Sequence, residues 1–445
     1  MNVLDSRLVR DRLEREGFVF TEDVADADVA LYNTCSVRRH AEEKVFSWIG
    51  HLKRRKQATG RPVIGVLGCT AQREGNDILK KWPQVDLVVG PQELWRLPDL
   101  LSAEDRSVSV SRRRRPSRPE ALEALDTDRD VSGDLDAGKA YLRVMRGCDK
   151  FCSFCIVPYV RGRELARPPE NILDEARRLA DAGCVELTLL GQTVDSYRYA
   201  QGETTVRFAD LLEKVHDATR IPRLRFVTSH PSDLDDSVLN AMAGLDRVCE
   251  YLHLPAQSGS DRILKAMRRG YTSGEYLGLL DRARDRVEGI SLAGDFIIGF
   301  PGETESDFAA TEDLLRRAGY KNSFIFDYSP RPGTFSAEKM SNDVPAEVIR
   351  RRHQQLLVAQ EEVSLSVHQG MVGRTVSVLV EGVSPRSRSL QAEGSSVHPQ
   401  LTARTRGDHI VCFNGPEKLI GTIHSVAIVD AAALTLFGDT TGSRG

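Results

Sequence analysis

The strongest constraint on the fold of this chain is a sixfold alternation of short apolar runs with helical patterns between residues 138 and 368. The runs are AYLRVMRG (140–147), VELTLLGQ (185–192), LRFVTS (224–229), YLHLPAQ (251–257), LAGDFIIGF (292–300) and SFIFDYSP (323–330). Segments such as ENILDEARRLADAG (170–183) and TESDFAATEDLLRRAG (304–319) lie between them, with apolar residues at helical spacing. Apolar strands that regularly alternate with helices are parallel and helix-covered, and six such units make a partial (βα)6 barrel. Residues that carry chemistry are then expected at the carboxyl ends of the strands. A helical stretch near 345–368 closes this region.

Two further domains flank it in this 445-residue chain, which is too long for one ordinary core. Residues 1–101 alternate VALYNT, PVIGVLG and VDLVVG with amphipathic helices, the pattern of an α/β domain with an open parallel sheet. Cys35 and Cys69 each fall just after a strand there, where open α/β sheets place ligand sites. Residues 102–137 turn polar and read as a linker or a partly ordered crossing segment. From 369 to 438 short strands divided by Gly, Ser and Pro turns suggest a small antiparallel β-barrel.

Composition narrows the class. With 40% hydrophobic and 28% charged residues, and no apolar run near the ~18 residues of a membrane span, the chain reads as soluble. Its N-terminus puts Leu4, Leu8 and Leu13 among charges and lacks the apolar stretch of a signal peptide, so a cytoplasmic protein with no membrane partner is expected. Eight cysteines without paired spacing argue for reduced thiols, some of them metal ligands. Because the net charge is -3, nucleic-acid binding would rest on local basic patches. Lys53 to Lys56 (KRRK) and Arg112 to Arg115 (RRRR) are candidates, equally readable as a solvated helix face and a linker.

RGCDKFCSFC carries the sharpest chemistry. Cys148, Cys152 and Cys155, on the loop after the first barrel strand, can hold one corner of a cubane and leave its fourth iron open to a substrate or cofactor. A structural zinc site is the alternative, but it would need a fourth ligand close by, and no CxxC partner follows. The CxxxCxxC spacing, with Phe154 before the last Cys, resembles the radical S-adenosylmethionine (SAM) superfamily, which implies a 4Fe-4S cluster and bound SAM. Gly191 and Gln192, Gln257 and Ser258, and Gly299 and Glu303 within GDFIIGFPGET end barrel strands and could line a SAM pocket. Each reads equally well as turn and cap chemistry.

Longer strings sharpen the resemblance. NTCSVR, LGCTAQ, RGCDKFCSFCIVPYVRGRE, GQTVDSYR, HLPAQSGSDRIL and YSPRPGT resemble the methylthiotransferases of the MiaB type over nearly the whole chain, with Thr193 and Asp195 standing where Asn is usual. The resemblance implies an N-terminal methylthiotransferase domain, a radical SAM barrel and a TRAM-like RNA-binding barrel. It also implies two 4Fe-4S clusters, the second held by three N-terminal cysteines. Cys35 and Cys69 match two of them. The family's first cysteine lies in a string like GCQMN, and this chain begins with Met1 and Asn2. Either the true start lies upstream, or a substitute ligand serves, with Cys184, Cys249 and Cys412 as the spare thiols. The implied reaction is methylthiolation at C2 of N6-isopentenyl-adenosine beside the tRNA anticodon, in a monomer that grips the anticodon stem-loop and takes electrons from flavodoxin or ferredoxin. Methylthiolation of threonylcarbamoyl-adenosine or of a ribosomal-protein aspartate is the alternative, as is an RNA-binding iron-sulfur protein inactive in sulfur insertion. Between 370 and 437 six cations (Arg374, Arg386, Arg388, Arg404, Arg406, Lys418) face five acids, so RNA grip there would depend on their arrangement.

Overall fold

The computed structural model describes residues 1–36, 39–103, 106–111, 115–133, 135–385, 387–388 and 399–440. The chain divides into two compact units. The first comprises Met1–Asp134, Met145–Arg167 and Arg331–Thr334, and the second Leu135–Val144, Pro168–Pro330 and Phe335–Gly445.

In the first unit, strands Val29–Thr34, Val63–Gly68, Leu87–Val89 and Ser107–Ser109 form a parallel sheet in chain order. Side chains alternate between its faces, and helices cover both. Leu67, Leu87 and Val89 pack with Val9 and Leu13 of helix Asn2–Arg15, while Ile64, Val66 and Val88 pack with Val45, Ile49 and Leu52 of helix Arg39–Thr59. This double burial explains why the strands read as continuous apolar runs. The stretch 102–137, expected as a linker, contributes the fourth strand and helix Pro119–Thr127, whose Leu122 and Leu125 enter the core. Two leucines three residues apart suffice to seat a short helix, and the surrounding charges hid that signal.

In the second unit, strands Lys139–Arg143, Glu186–Leu190 and Arg223–Val227 form one parallel sheet, and Tyr251–His253, Ser291–Ile298 and Asn322–Asp327 another. A parallel bridge between Leu224 and Val248 joins them, so all six strands follow one another in chain order as an open partial barrel. Helix-facing Leu187, Leu189, Phe226, Leu292, Phe296 and Ile298 are buried, so Tyr141, Thr188, His253 and Asp295 belong to the inner face. The first strand is shorter than expected. Met145–Arg146 leaves it to pair antiparallel with Leu165–Ala166 in the first unit.

The tail forms a closed barrel of Thr375–Val383, Gln400–Thr405, Ile410–Asn414, Leu436–Thr440 and Ile423–Ala431 around Val378, Val380, Leu401, Val411 and Phe413. It is not wholly antiparallel, because Ile410–Asn414 and Leu436–Thr440 run parallel. In a closed ring of five strands directions cannot alternate all the way round, so at least one parallel pair is unavoidable.

Helix Ala346–Gln369 ends on this barrel through a chain of imidazoles. His368 Nδ1 bonds Ala432 O at 2.8 Å, its Nε2 meets His409 Nδ1 at 2.9 Å, and His409 Nε2 meets Ser291 Oγ at 2.7 Å. Burial, aided by the nearby Lys321 charge, pushes both imidazoles down, His409 to about 3. Both are therefore neutral at pH 7. His368 Nδ1–H donates to the carbonyl, His409 Nδ1–H donates to His368, and the serine hydroxyl donates to His409. An unfolded imidazole binds a proton near pH ~6.5, so below that pH the unfolded state holds more protons than the folded one. The contribution of these groups is present above pH ~6.5 and is lost on acidification by up to about 1.4 kcal/mol per pH unit for each imidazole. Melting followed by circular dichroism from pH 7 to 5 is expected to show a falling midpoint, and His409→Gln is expected to flatten that slope.

Candidate metal centre

Cys35 follows strand Val29–Thr34 directly and Cys69 follows Val63–Gly68, and these neighbouring strands are in register with Thr34 opposite Gly68. The two thiols therefore leave the sheet side by side. A buried polar network ties their flanks: Ser36 Oγ lies 3.4 Å from Thr70 Oγ1, which donates to Glu42 Oε1 at 3.0 Å, and Arg73 clamps the same carboxylate at 2.8 and 3.1 Å. Arg161, buried, reaches three groups of this end. Its Nε donates to Cys69 Sγ at 3.2 Å and its Nη2 to Asn2 Oδ1 at 2.6 Å and Asp5 Oδ2 at 2.8 Å. Burial pushes the Cys69 thiol up, against the pull of Arg161 and with a further push from Cys35.

The CxxxCxxC loop belongs to this same unit. Gly147 opens it at φ +73°, and a Cβ there would lie 2.0 Å from Arg163 O. Cys148 N donates to Gly162 O at 3.1 Å and Cys155 N to Cys152 O at 3.0 Å, while Phe151 takes a left-handed φ of +48° that turns the loop between the first two cysteines. Cys148 and Cys152 are 8% exposed and Cys155 more open. Ile156, next to Cys155, packs with Val160 against Cys69. Ile156 and Arg161, which follow the CxxxCxxC loop, thus both touch Cys69. Gly147→Ala is expected to break the Cys148–Gly162 pairing and lower the iron retained after anaerobic reconstitution, which iron analysis would read.

Among the described residues no three His, Cys, Asp or Glu side chains gather as a single-ion site. Three thiolates on one loop fit a cubane instead, since each would take a different iron and the fourth iron would stay open.

The residues expected around SAM divide between the units. Phe154 is half-buried in the first. In the second, Gly191 and Gln192 follow strand Glu186–Leu190, and Gln192 Oε1 is buried without a hydrogen-bond partner. Gln257, at φ +72°, bridges to strand Ser291–Ile298, its N–H donating to Asp295 O at 2.8 Å. Gly299 ends that strand and its N–H donates to Glu303 Oε2 at 2.9 Å. Ser258 Oγ lies 3.2 Å from Thr311 Oγ1 of helix Glu305–Ala318, while Ser260 caps helix Asp261–Ala266. Sequence reasoning missed Arg352, whose Nη1 pairs with Glu303 at 2.8 Å, and had no role for Asp195, whose carboxylate accepts the His230 N–H at 2.7 Å and ties two strand-end loops. Cys184, Cys249 and Cys412 all lie in the second unit, and burial pushes the Cys249 thiol up to about 11.

Comparison with known proteins shows the family. Residues 142–315 match the radical SAM superfamily, and residues 1–90 match the uncharacterized protein family UPF0004. A tRNA-2-methylthio-N(6)-dimethylallyladenosine synthase of Rhodopirellula baltica is 42% identical over 98% of this chain and 93% of its own length. The Bordetella pertussis protein of that name is 43% identical over 99% and 96%. Among solved structures, the radical SAM methyltransferase TsrM of Kitasatospora setae superposes with a TM-score of 0.55 at 16% identity, covering 75% of this chain and 70% of that one, a likeness of fold. With relatives this similar along almost their entire lengths, the chain belongs to the family of radical SAM enzymes named tRNA-2-methylthio-N(6)-dimethylallyladenosine synthases.

Proposed function

We propose that the protein adds a methylthio group to C2 of N6-dimethylallyl-adenosine 37 in tRNA. In this reading it uses SAM, a 4Fe-4S cluster on Cys148, Cys152 and Cys155, and a second 4Fe-4S cluster held in part by Cys35 and Cys69. The observation that supports the reading is that Ile156 and Arg161, just after the CxxxCxxC loop, are seated on Cys69 within one unit. Bound there, the clusters would supply the electron that cleaves SAM to a hydrogen-abstracting carbon radical, and the sulfur that takes the hydrogen's place.

The chain's own residues bind and orient. Arg161 fixes the Cys69 thiol against Asp5, and Gly147 lets Cys148 approach the returning strand. Glu303 and Arg352 hold the loop after Gly299. The target base would be turned out of its stack to reach the thiol loop.

Cations are available for the RNA backbone, though fewer than the sequence suggests. Arg404 is paired with Glu381 and Asp408, and Arg406 with Glu250. Arg374, Arg388 and Lys418 are exposed, and Arg386 lies outside the described residues. In KRRK, Lys53 and Arg54 are exposed, whereas Arg55 donates to Val24 O and Ala27 O and Lys56 pairs with Asp86. Of the RRRR run only Arg115, which is exposed, is described.

A flavodoxin- or ferredoxin-like donor, a monomeric state and a cytoplasmic site complete the proposal. No helix among the described residues is long and apolar enough to cross a membrane. Nucleoside mass spectrometry of tRNA from a deletion strain tests it. The 2-methylthio-isopentenyl nucleoside should disappear and its unthiolated precursor accumulate, whereas an unchanged signal would sink the assignment. Loss of a threonylcarbamoyl-derived nucleoside instead would move the substrate.

A further inference from the structure

The turn Thr405–His409 of the C-terminal barrel is shaped for one place, the amino ends of the partial barrel's strands. Asp408 stands at φ +64°, a left-handed conformation that costs a non-glycine residue energy, and Lys321, just before the sixth strand, takes both its carbonyl and its carboxylate. Gly407 comes so close to Ser291, the first residue of the fifth strand, that a Cβ would sit 2.6 Å from the serine Oγ. On the third strand, Arg225 donates to Thr405 O and Arg406 O, and Arg223 donates to Arg404 O at 2.9 Å and to Ser377 O at 3.0 Å.

The remaining strands join the same seam. Arg406 returns to Glu250 at 2.8 Å, before the fourth strand, and Glu381 takes Lys139 of the first at 2.7 Å. Glu186, first residue of the second strand, holds Arg225 at 2.9 Å. Five of the six strands thus touch the C-terminal barrel at their amino ends, and the second steadies Arg225, which does. Arg223 is 1% and Lys321 6% exposed, so these charges are closed off from water. Charges buried at that density are costly unless each is paired, which makes the seam a specific lock.

We propose that the turn Thr405–His409 is the fixed floor of the reaction chamber, and that Asp408 is a positioning residue that holds the RNA-gripping barrel in register with it. This rests on the tRNA-modifying reading above. A rigid floor keeps water from the foot of the chamber and sets the distance from RNA grip to reacting base, without contributing to RNA affinity.

The test compares holoenzyme with Asp408→Asn, which keeps the turn's shape and removes its charge. Gly407→Ala is a second variant that leaves every charge in place and presses the turn off Ser291. Three readouts are taken: hydrogen exchange of residues 405–409 and 291–293, affinity for an anticodon stem-loop RNA, and 5'-deoxyadenosine formed per methylthiolated nucleoside. In either variant that folds, exchange at the seam should rise about tenfold, deoxyadenosine per product should rise severalfold, and RNA affinity should stay within about twofold. Unchanged exchange and an unchanged ratio would overturn the proposal. So would weaker RNA binding at an unchanged ratio, which would make the turn an RNA contact. Wild-type protein that made no methylthiolated nucleoside would refute the assigned reaction and leave the exchange result to judge the floor.

Discussion

Cys152→Ala is expected to abolish SAM cleavage and to lower reconstituted iron by about four per chain. The loop offers three thiols, and no further His, Cys, Asp or Glu among the described residues completes a metal-binding group around them. A cubane held at three corners cannot give up one and still keep its open iron poised for SAM. Cys184→Ala is the control. Its thiol is 5% exposed, donates to Glu186 O at 3.3 Å and sits in the other unit, so iron and cleavage should match wild type. Cys69→Ala should separate the two steps. SAM cleavage should persist while methylthiolated product falls to background, because the proposed second cluster would lose one of its proposed ligands, Cys35 and Cys69. Iron analysis with chromatography of 5'-deoxyadenosine checks all three variants, and full cleavage by Cys152→Ala would remove that thiol from the centre.

The barrel was legible because its signal is local. Helix-backed parallel strands need apolar runs, and each of the six strands begins within or beside its run, though the first ends already at Arg143. The three-thiol loop was legible for the same reason, being contiguous. What escaped depended on partners far apart in sequence. Arg161 is an ordinary arginine within VPYVRGRE, and its role appears only when folding brings Cys69 and Asp5, 92 and 156 residues away, onto its guanidinium. The seam of the C-terminal barrel was invisible likewise. Arg404 and Arg406 were counted as candidate RNA cations, but their carboxylate partners Glu381 and Glu250 lie on other strands or loops. Counting charge along a chain cannot distinguish a cation that faces solvent from one already paired. The strand at 107–109 escaped because three residues carry no period.

Arg352→Met is expected to destabilise the second unit by about 3–5 kcal/mol, the usual consequence of stranding a buried charge. The side chains of Arg352 and Glu303 are 3% and 1% exposed, and they meet at 2.8 Å. Glu303 Oε2 also accepts the Gly299 N–H, while its buried Oε1 has no hydrogen-bond partner among the described residues. Burial already pushes this carboxyl up, opposed by the Gly299 N–H and by Arg352. Without the arginine it should rise further and take a proton on folding. A carboxyl whose folded pKa exceeds its unfolded one gains stability as pH falls, so the variant should become relatively more stable between pH 7 and 5. Adding Glu303→Gln removes the stranded charge and should recover much of the loss. The double variant then separates two roles for Glu303. A clamp that only shapes the loop after Gly299 predicts that SAM binding returns with stability, because an amide can still accept the Gly299 N–H. A residue that itself bonds SAM through Oε1 predicts a stable protein that binds SAM weakly. Melting across pH, paired with calorimetric SAM titration, reads both, and the Arg352 pairing and Gly299 bond favour the clamp.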